Sequence, residues 1–380
     1  MKPTKLFTAF FRSERAGGMI LIFCTIFSLW ITNSPYGSQF LQLWDFHLAG
    51  HSVVHWINDG LMALFFLLVG LELEREIYVG ELSNIKNAYL PLFAAIGGMI
   101  FPAMLYLSMN YGTDAQAGAG IPMATDIAFA LGILSLLGKR VPTSLKVFLT
   151  ALAVIDDLGA ILIIAMFYTK TIAMNYLLMA TGVFVLLIIM NVLKIKKLVF
   201  YLIGGVFMWY FMLRSGVHAT IAGVLLAFTI PFSKNEKSPS NILEDFLHKP
   251  VSFVILPLFA LANTAIPLTA GIEKVITYHY SIGIMLGLII GKPLGILTLC
   301  YFAVRLKVSN LPPDLNWKII IGAGFLAGIG FTMSIFITLL AFDDTEIINN
   351  VKLVVLLSSL IAAAIGFTIL KRTLKKDALE

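Results

Sequence analysis

Stretches of about 20 mostly apolar residues recur along this chain from Gly17 to Leu370, and each is long enough for a helix to cross the hydrocarbon core of a bilayer. Short charged or turn-rich segments separate them. Of the 380 residues, 59% are hydrophobic and only 13% are charged, far from the composition of soluble domains. The pattern predicts an all-α polytopic membrane protein whose residues 1–380 form a single transmembrane domain.

About twelve transmembrane helices follow from the apolar runs, although the seventh and eighth are short enough that one long hairpin is an alternative. The candidate spans begin near Gly17, Asp59, Ala88, Ala115, Leu145, Ile172, Leu198, Gly216, Val251, Ile282, Ile319 and Leu353.

The 27 basic residues are distributed unequally between the two sides of the predicted bundle. Lys292 lies in the middle of a span. If the N-terminus is cytoplasmic, nearly all of the other basic residues fall in segments on the cytoplasmic side. The positive-inside rule therefore predicts that both termini are cytoplasmic. Orientation, rather than nucleic-acid binding, also explains the pI near 9.1. The predicted outside segments hold only Lys170, Arg214, Lys274 and Lys352.

The first outside segment, at about residues 34–58, contains no lysine or arginine. It suits either a membrane-interface element, because tryptophan is common there, or a segment that pairs two subunits. The two readings stay open on the sequence alone. Its aromatic and imidazole side chains are Trp44, His47, His51, His55 and Trp56.

Four ionisable residues fall inside apolar spans: Asp126, Asp156, Asp157 and Lys292. Each such residue costs roughly 2.5–3.5 kcal/mol near the bilayer centre, so each is a candidate for function. Asp156 and Asp157 are adjacent in A-L-A-V-I-D-D-L-G-A-I-L, and neighbouring helical side chains point about 100° apart. Both carboxylates can line one cavity and repel each other, so the pair is suited to hold protons or a cation.

Two spans carry residues that interrupt helices. Gly118, Gly120 and Pro122 precede Thr125 and Asp126 in the fourth span. The eleventh span reads G-A-G-F-L-A-G-I-G-F-T-M-S and has Gly328 and Gly330 at its middle. Where a helix is interrupted within the membrane, the backbone N–H and C=O groups that lose their helical hydrogen bonds must be buried in protein or face a water-filled cavity.

Each interrupted span is the middle one of three, and the two triplets run in opposite directions. Spans 3–5 and 10–12 are therefore predicted to form an inverted-repeat core over about residues 88–168 and 282–370. Broken helices at matching positions of inverted halves indicate the ion site of a transporter. In such a site Lys292 would compensate the carbonyl ends of the broken helices and Asp126 their amide ends.

Five motifs in order resemble the bacterial NhaA sodium/proton antiporter family over essentially the whole chain. They are M-A-T-D-I-A-F-A, A-V-I-D-D-L-G-A, S-G-V-H-A-T-I-A-G, I-G-K-P-L-G-I and A-G-I-G-F-T-M-S-I-F. The resemblance implies a secondary transporter rather than an enzyme, with no cofactor.

The resemblance further implies that Asp156 and Asp157 bind the transported cation and proton, with Asp126, Thr125 and Lys292 beside them. It implies exchange of Na+ for H+ in the bacterial inner membrane, pH homeostasis, and a homodimer paired through the outside segment. Lithium should also be carried, because a carboxylate site for small hard cations has little basis to reject it. The resemblance also implies a cytoplasmic pH-responsive cluster of Glu72, Arg75, Glu76, Glu244, His248 and Lys249.

The sequence departs from the family pattern at Glu74, where a lysine is usual, and at Asn241 and Ile242, where basic residues often stand. These changes touch the implied pH-responsive cluster.

Other functions fit the residues less well. A channel would need a ring of pore-lining groups or a carbonyl filter. An intramembrane aspartyl protease could use Asp126 with Asp156, but the G-x-G-D signature is missing. A sodium-coupled symporter of related fold remains the alternative, and coupled uptake rather than exchange would distinguish it.

Overall fold

The computed structural model describes residues 5–83, 85–168, 172–234, 238–268 and 271–374, with side chains described from residue 16 onward apart from 81 and 85–87. Five basic residues that enter the orientation argument lie outside this part of the chain: Lys2, Lys170, Lys237, Lys375 and Lys376.

The described chain is helical almost throughout, which confirms the all-α polytopic prediction. Some helices continue through a π-helical turn, at Trp56–Leu61, Val251–Ile255 and Gly287–Gly291, and Asp114–Met123 is a 3₁₀-helix. Short 3₁₀ turns occupy Glu81–Ser83 and Gly138–Arg140. The α-helices are α1 (Lys5–Thr32), α2 (Gly37–Asp45), α3 (Val53–His55), α4 (Met62–Tyr78), α5 (Ile85–Asn110), α6 (Ile127–Ser135), α7 (Thr143–Phe167), α8 (Met174–Val192), α9 (Leu198–Ser215), α10 (Ile221–Ala227), α11 (Pro239–Pro250), α12 (Leu256–Asn263), α13 (Ile272–Val275), α14 (His279–Leu286), α15 (Lys292–Arg305), α16 (Trp317–Ala327), α17 (Phe331–Ala341) and α18 (Thr345–Thr373).

Within the described residues, eight helical stretches are long and apolar enough to cross a membrane, and three bent pairs raise the number to eleven. Two of these pairs are the interrupted spans that the sequence predicts. The 3₁₀-helix Asp114–Met123 meets α6 at 40°, and α16 meets α17 at 46°.

The predicted span beginning near Gly216 is only a short helix, α10. Gly216 ends α9 in the left-handed conformation, with φ of 83°. The next residues form tight turns, in which the Ile221 N–H bonds to the His218 carbonyl, and Pro231 follows soon after. Seven residues of this run, Ile221–Ala227, are α-helical, and turns make up most of the rest.

The first helices of the two predicted triplets, α5 and α15, cross with their backbones in contact at Gly97 and Gly295. A Cβ added to either glycine would lie 2.1 Å from the carbonyl oxygen of the other. Small residues permit this close approach between membrane helices. The contact brings Lys292, the first residue of α15, next to the broken helices.

The outside segment forms a bend and a small hairpin. Helix α2 turns by 116° from α1. Strands β1 (His47–Leu48) and β2 (His51–Ser52) are antiparallel, with His47 opposite Ser52. The two turn residues, Ala49 and Gly50, both have positive φ, as tight hairpin turns of two residues require. No alternation of apolar residues in the sequence predicts this hairpin.

Candidate ion-binding site

The two helix breaks cross each other in the protein interior. Residues 124–126 are extended between the 3₁₀-helix and α6, and residues 328–330 separate α16 from α17. The Asp126 N–H donates to the Ile329 carbonyl at 2.7 Å, which joins the breaks directly. Glycine and proline supply the local interruptions, and this contact satisfies part of the backbone that they leave unpaired.

Asp126 lies where α6 and α17 both begin. Its Oδ1 accepts a hydrogen bond of 2.9 Å from the Phe129 N–H. Its Oδ2 accepts from the Thr332 N–H at 3.0 Å and from the Thr332 hydroxyl at 2.5 Å. One carboxylate therefore caps two helix N-termini, where the helix dipole favours negative charge. Thr332 follows the second break, yet no feature of the sequence identifies it as a partner of Asp126.

Lys292 lies at the carbonyl end of the first broken helix, the 3₁₀-helix Asp114–Met123. The side chain is fully buried, and its Nζ is 3.0 Å from Asp156 Oδ2. The ammonium also donates to the carbonyl of Met123, the last residue of the 3₁₀-helix. The lysine thus lies between a carboxylate and the negative end of a helix dipole.

Thr125 connects the aspartate pair to the second broken helix. Its Oγ1 is 2.7 Å from Asp156 Oδ2 and 3.0 Å from the carbonyl oxygen of Ala327, the last residue of α16. A hydroxyl carries a single proton, so these two acceptors compete for it. The hydrogen-bonding state of α16 is therefore linked to the state of Asp156.

Asp157 is buried without a partner. Asp156 and Asp157 are 1% and 2% exposed, and Asp157 forms no hydrogen bond or ion pair with any described residue. The Oδ1 atoms of both aspartates are buried and unpaired within the described chain. Asp126 is buried within electrostatic reach of Asp157 as well, so Asp157 has two carboxylates near it, and Lys292 is already paired with Asp156.

A pair of hydroxyls in α18 matches the aspartate pair in α7. Counted from the first residue of each helix, Ser358–Ser359 and Asp156–Asp157 occupy the same positions. Ser359 Oγ accepts from the N–H of Phe331, the first residue of α17, at 3.1 Å. The correspondence agrees with the predicted repeat of spans 3–5 in spans 10–12, with carboxylates in only one copy.

A second group of charges lies between the end of α4 and α11. Arg75 Nη1 is 2.8 Å from Glu244 Oε1, and Nη2 is 3.5 Å from Glu76 Oε1. Glu72 and His248 are within electrostatic reach of the same arginine. Five of the six residues implied by the family resemblance therefore lie together.

Lys249, the sixth, is exposed and forms no ion pair with another described residue. Glu74, which departs from the family pattern, is 5% exposed and accepts a 2.9 Å hydrogen bond from the Ser240 hydroxyl. It belongs to the same group between α4 and α11.

The chain is similar to known proteins over nearly its whole length. The profile of the family described as Na+/H+ antiporter 1 matches residues 8–370. The Na(+)/H(+) antiporter NhaA of Flavobacterium psychrophilum is 65% identical over 100% of this chain and 99% of its own length. The proteins of the same name from Dechloromonas aromatica and Cytophaga hutchinsonii are 58% and 56% identical. The match to the Dechloromonas protein covers 96% of this chain and 95% of that protein. The match to the Cytophaga protein covers 99% of this chain and 97% of that protein. The chain therefore belongs to the Na+/H+ antiporter 1 family of multi-pass membrane proteins, which are secondary transporters and not enzymes.

Proposed function

We propose that this protein exchanges Na+ for H+ across the membrane and that the two ions compete for Asp156 and Asp157. The names of its relatives support the exchange of these ions. The residues of the site support the competition.

The unpaired Asp157 carboxyl is the observation that carries the proposal. A buried ionised carboxylate without a partner destabilises a protein by about 3–5 kcal/mol. The group therefore needs either a proton or a cation at all times. Asp156 Oδ1, also unpaired, offers a second oxygen on the same turn of α7, and hard cations prefer such oxygen ligands. A proton and a sodium ion can therefore bind this site only in turn, which is the requirement for exchange.

The crossed helix breaks provide the element that moves. Backbone that is neither helical nor sheet has few hydrogen bonds to lose, so α6 and α17 can shift relative to the preceding half-helices. A change at Asp156 alters both its contact with Lys292 and its contact with Thr125. Ion binding is thereby coupled to the ends of both broken helices, and rocking of this bundle opens the site alternately to each side.

Further features follow from the same site and from the family. Li+ is a second substrate, since the oxygen ligands do not discriminate strongly among small hard cations. Two carboxylates and Lys292 supply more proton carriers than one sodium ion needs, so the exchange is electrogenic. The charges around Arg75 and Glu244 regulate it by pH. The protein is a homodimer through residues 34–58 in the bacterial inner membrane, with cytoplasmic termini.

Purified protein in proteoliposomes with an internal pH-sensitive dye tests the proposal. Addition of Na+ or Li+ should move protons in the opposite direction, while K+ should not. No proton movement with either ion at any pH from 6 to 9 would refute the exchange, and sodium and proton uptake in the same direction would indicate symport. An imposed membrane potential should alter the sodium flux, and indifference to it would show electroneutral exchange.

A further inference from the structure

Helix α7 carries a third buried oxygen without a partner, besides those of the aspartate pair. Thr150 Oγ1 is inaccessible to solvent and forms no hydrogen bond with any described residue. A buried hydroxyl that is left unpaired costs about 1–3 kcal/mol. Such a group calls for an explanation, and an ion that is present only part of the time is one.

Thr32 Oγ1 is also buried without a partner in the described chain, but five other helical threonines pair their hydroxyls locally. Each donates to the carbonyl four residues earlier, which is the usual bond of a threonine within a helix. Thr150 does not form this bond to the Lys146 carbonyl, so its hydroxyl is free to bind another group. The threonines that do form the local bond include Thr25, Thr181, Thr338, Thr368 and Thr373, at 2.7 to 2.8 Å.

Thr150 and Asp157 lie on one face of α7. Seven residues are close to two helical turns, so the side chains differ by only about 20° in direction and about 10 Å in height. Ala153 and Val154 occupy the turn between them, and both are buried. Since α7 begins at Thr143, Thr150 lies between Asp157 and that end of the helix. The nearby Lys139, Arg140 and Lys146 place this end on the cytoplasmic side.

We propose that Thr150 supplies an uncharged oxygen to partly hydrated sodium moving between the cytoplasm and Asp157. The inference rests on the proposed exchange at the aspartate pair. A neutral hydroxyl binds sodium without competing for its charge, so the ion is held briefly and passes on to the carboxylates. The residue acts on one side of the membrane only.

Three variants separate this role from a structural one. Thr150→Val keeps the shape and removes the hydroxyl, Thr150→Ser keeps the hydroxyl, and Thr181→Val serves as control because its hydroxyl bonds within exposed α8. The KM for sodium is measured in inside-out and right-side-out vesicles. For Thr150→Val the KM on the cytoplasmic side should rise about 2- to 10-fold, the range expected for one lost hydrogen bond, with Vmax and the opposite KM little changed. Thr150→Ser and Thr181→Val should behave as the unmodified protein.

An unchanged cytoplasmic KM, or an equal rise on both sides, would overturn the inference while leaving the exchange itself intact. Absence of exchange in the unmodified protein would instead refute the proposed function. Thermal unfolding gives an independent readout. Thr150→Val should unfold at the same or a higher temperature, because it removes an unpaired buried group. A lower Tm together with a reduced Vmax would show a structural role and contradict the proposal.

Discussion

Replacing Asp126 by asparagine tests how the crossed helix breaks are held together. The carboxylate accepts from the Phe129 N–H with one oxygen and from both donors of Thr332 with the other. Asparagine has one acceptor oxygen, and its NH₂ group must face donors on the remaining side. At least one buried N–H is left unpaired, which costs about 1–3 kcal/mol. Loss of the charge at two helix N-termini adds about 0.3–1 kcal/mol each.

The free energy of unfolding of Asp126→Asn should therefore fall by about 2–5 kcal/mol, measured by denaturant titration in micelles. Asp114→Asn is the matched control, because Asp114 is exposed in the first turn of the 3₁₀-helix and its substitution should change stability by less than about 0.5 kcal/mol. Exchange by Asp126→Asn should weaken but persist, since Asp156, Asp157 and Lys292 are retained. An Asp126→Asn protein as stable as the unmodified one would refute the capping role.

Two further substitutions test the packing around the site. Lys292→Met removes the cation that lies 3.0 Å from Asp156 and should lower the free energy of unfolding by about 3–5 kcal/mol, whereas Lys318→Met at an exposed position should have little effect. Equal stability of the two variants would contradict the buried ion pair. Gly295→Ala places a Cβ 2.1 Å from the Gly97 carbonyl oxygen, so α5 and α15 must separate. It should destabilise the protein by about 1–3 kcal/mol in the same titration, and Gly182→Ala, which meets no neighbour, should not.

The interruptions of the fourth and eleventh spans are predictable because their causes are local. Glycines and Pro122 weaken the helix wherever they stand. An aspartate after such a break also points to capping of the following half-helix. The partner in the other broken helix is not predictable in this way, because Thr332 lies 206 residues from Asp126 and becomes its neighbour only through the fold.

The number of spans is harder to predict from hydropathy than the positions of the buried charges are. The run after Gly216 is as apolar as a span, but its turns leave only α10 helical. Pro35 and Gly37 mark a turn between α1 and α2 in the sequence, but they do not predict its angle of 116°. Glu74 looks solvated in the sequence because charged neighbours flank it, yet Ser240 of α11 covers it. Each of these features depends on contacts between distant segments.

The most direct test of competition at the aspartate pair is proton release on addition of sodium. Purified protein in weak buffer should release protons when Na+ is added, because the cation displaces the proton from a site that must hold one or the other. Asp157→Asn keeps the volume but removes the unpaired carboxyl, so it should release none, while Asp126→Asn should retain part of the release. Proton release from Asp157→Asn equal to that of the unmodified protein would place the exchange site elsewhere.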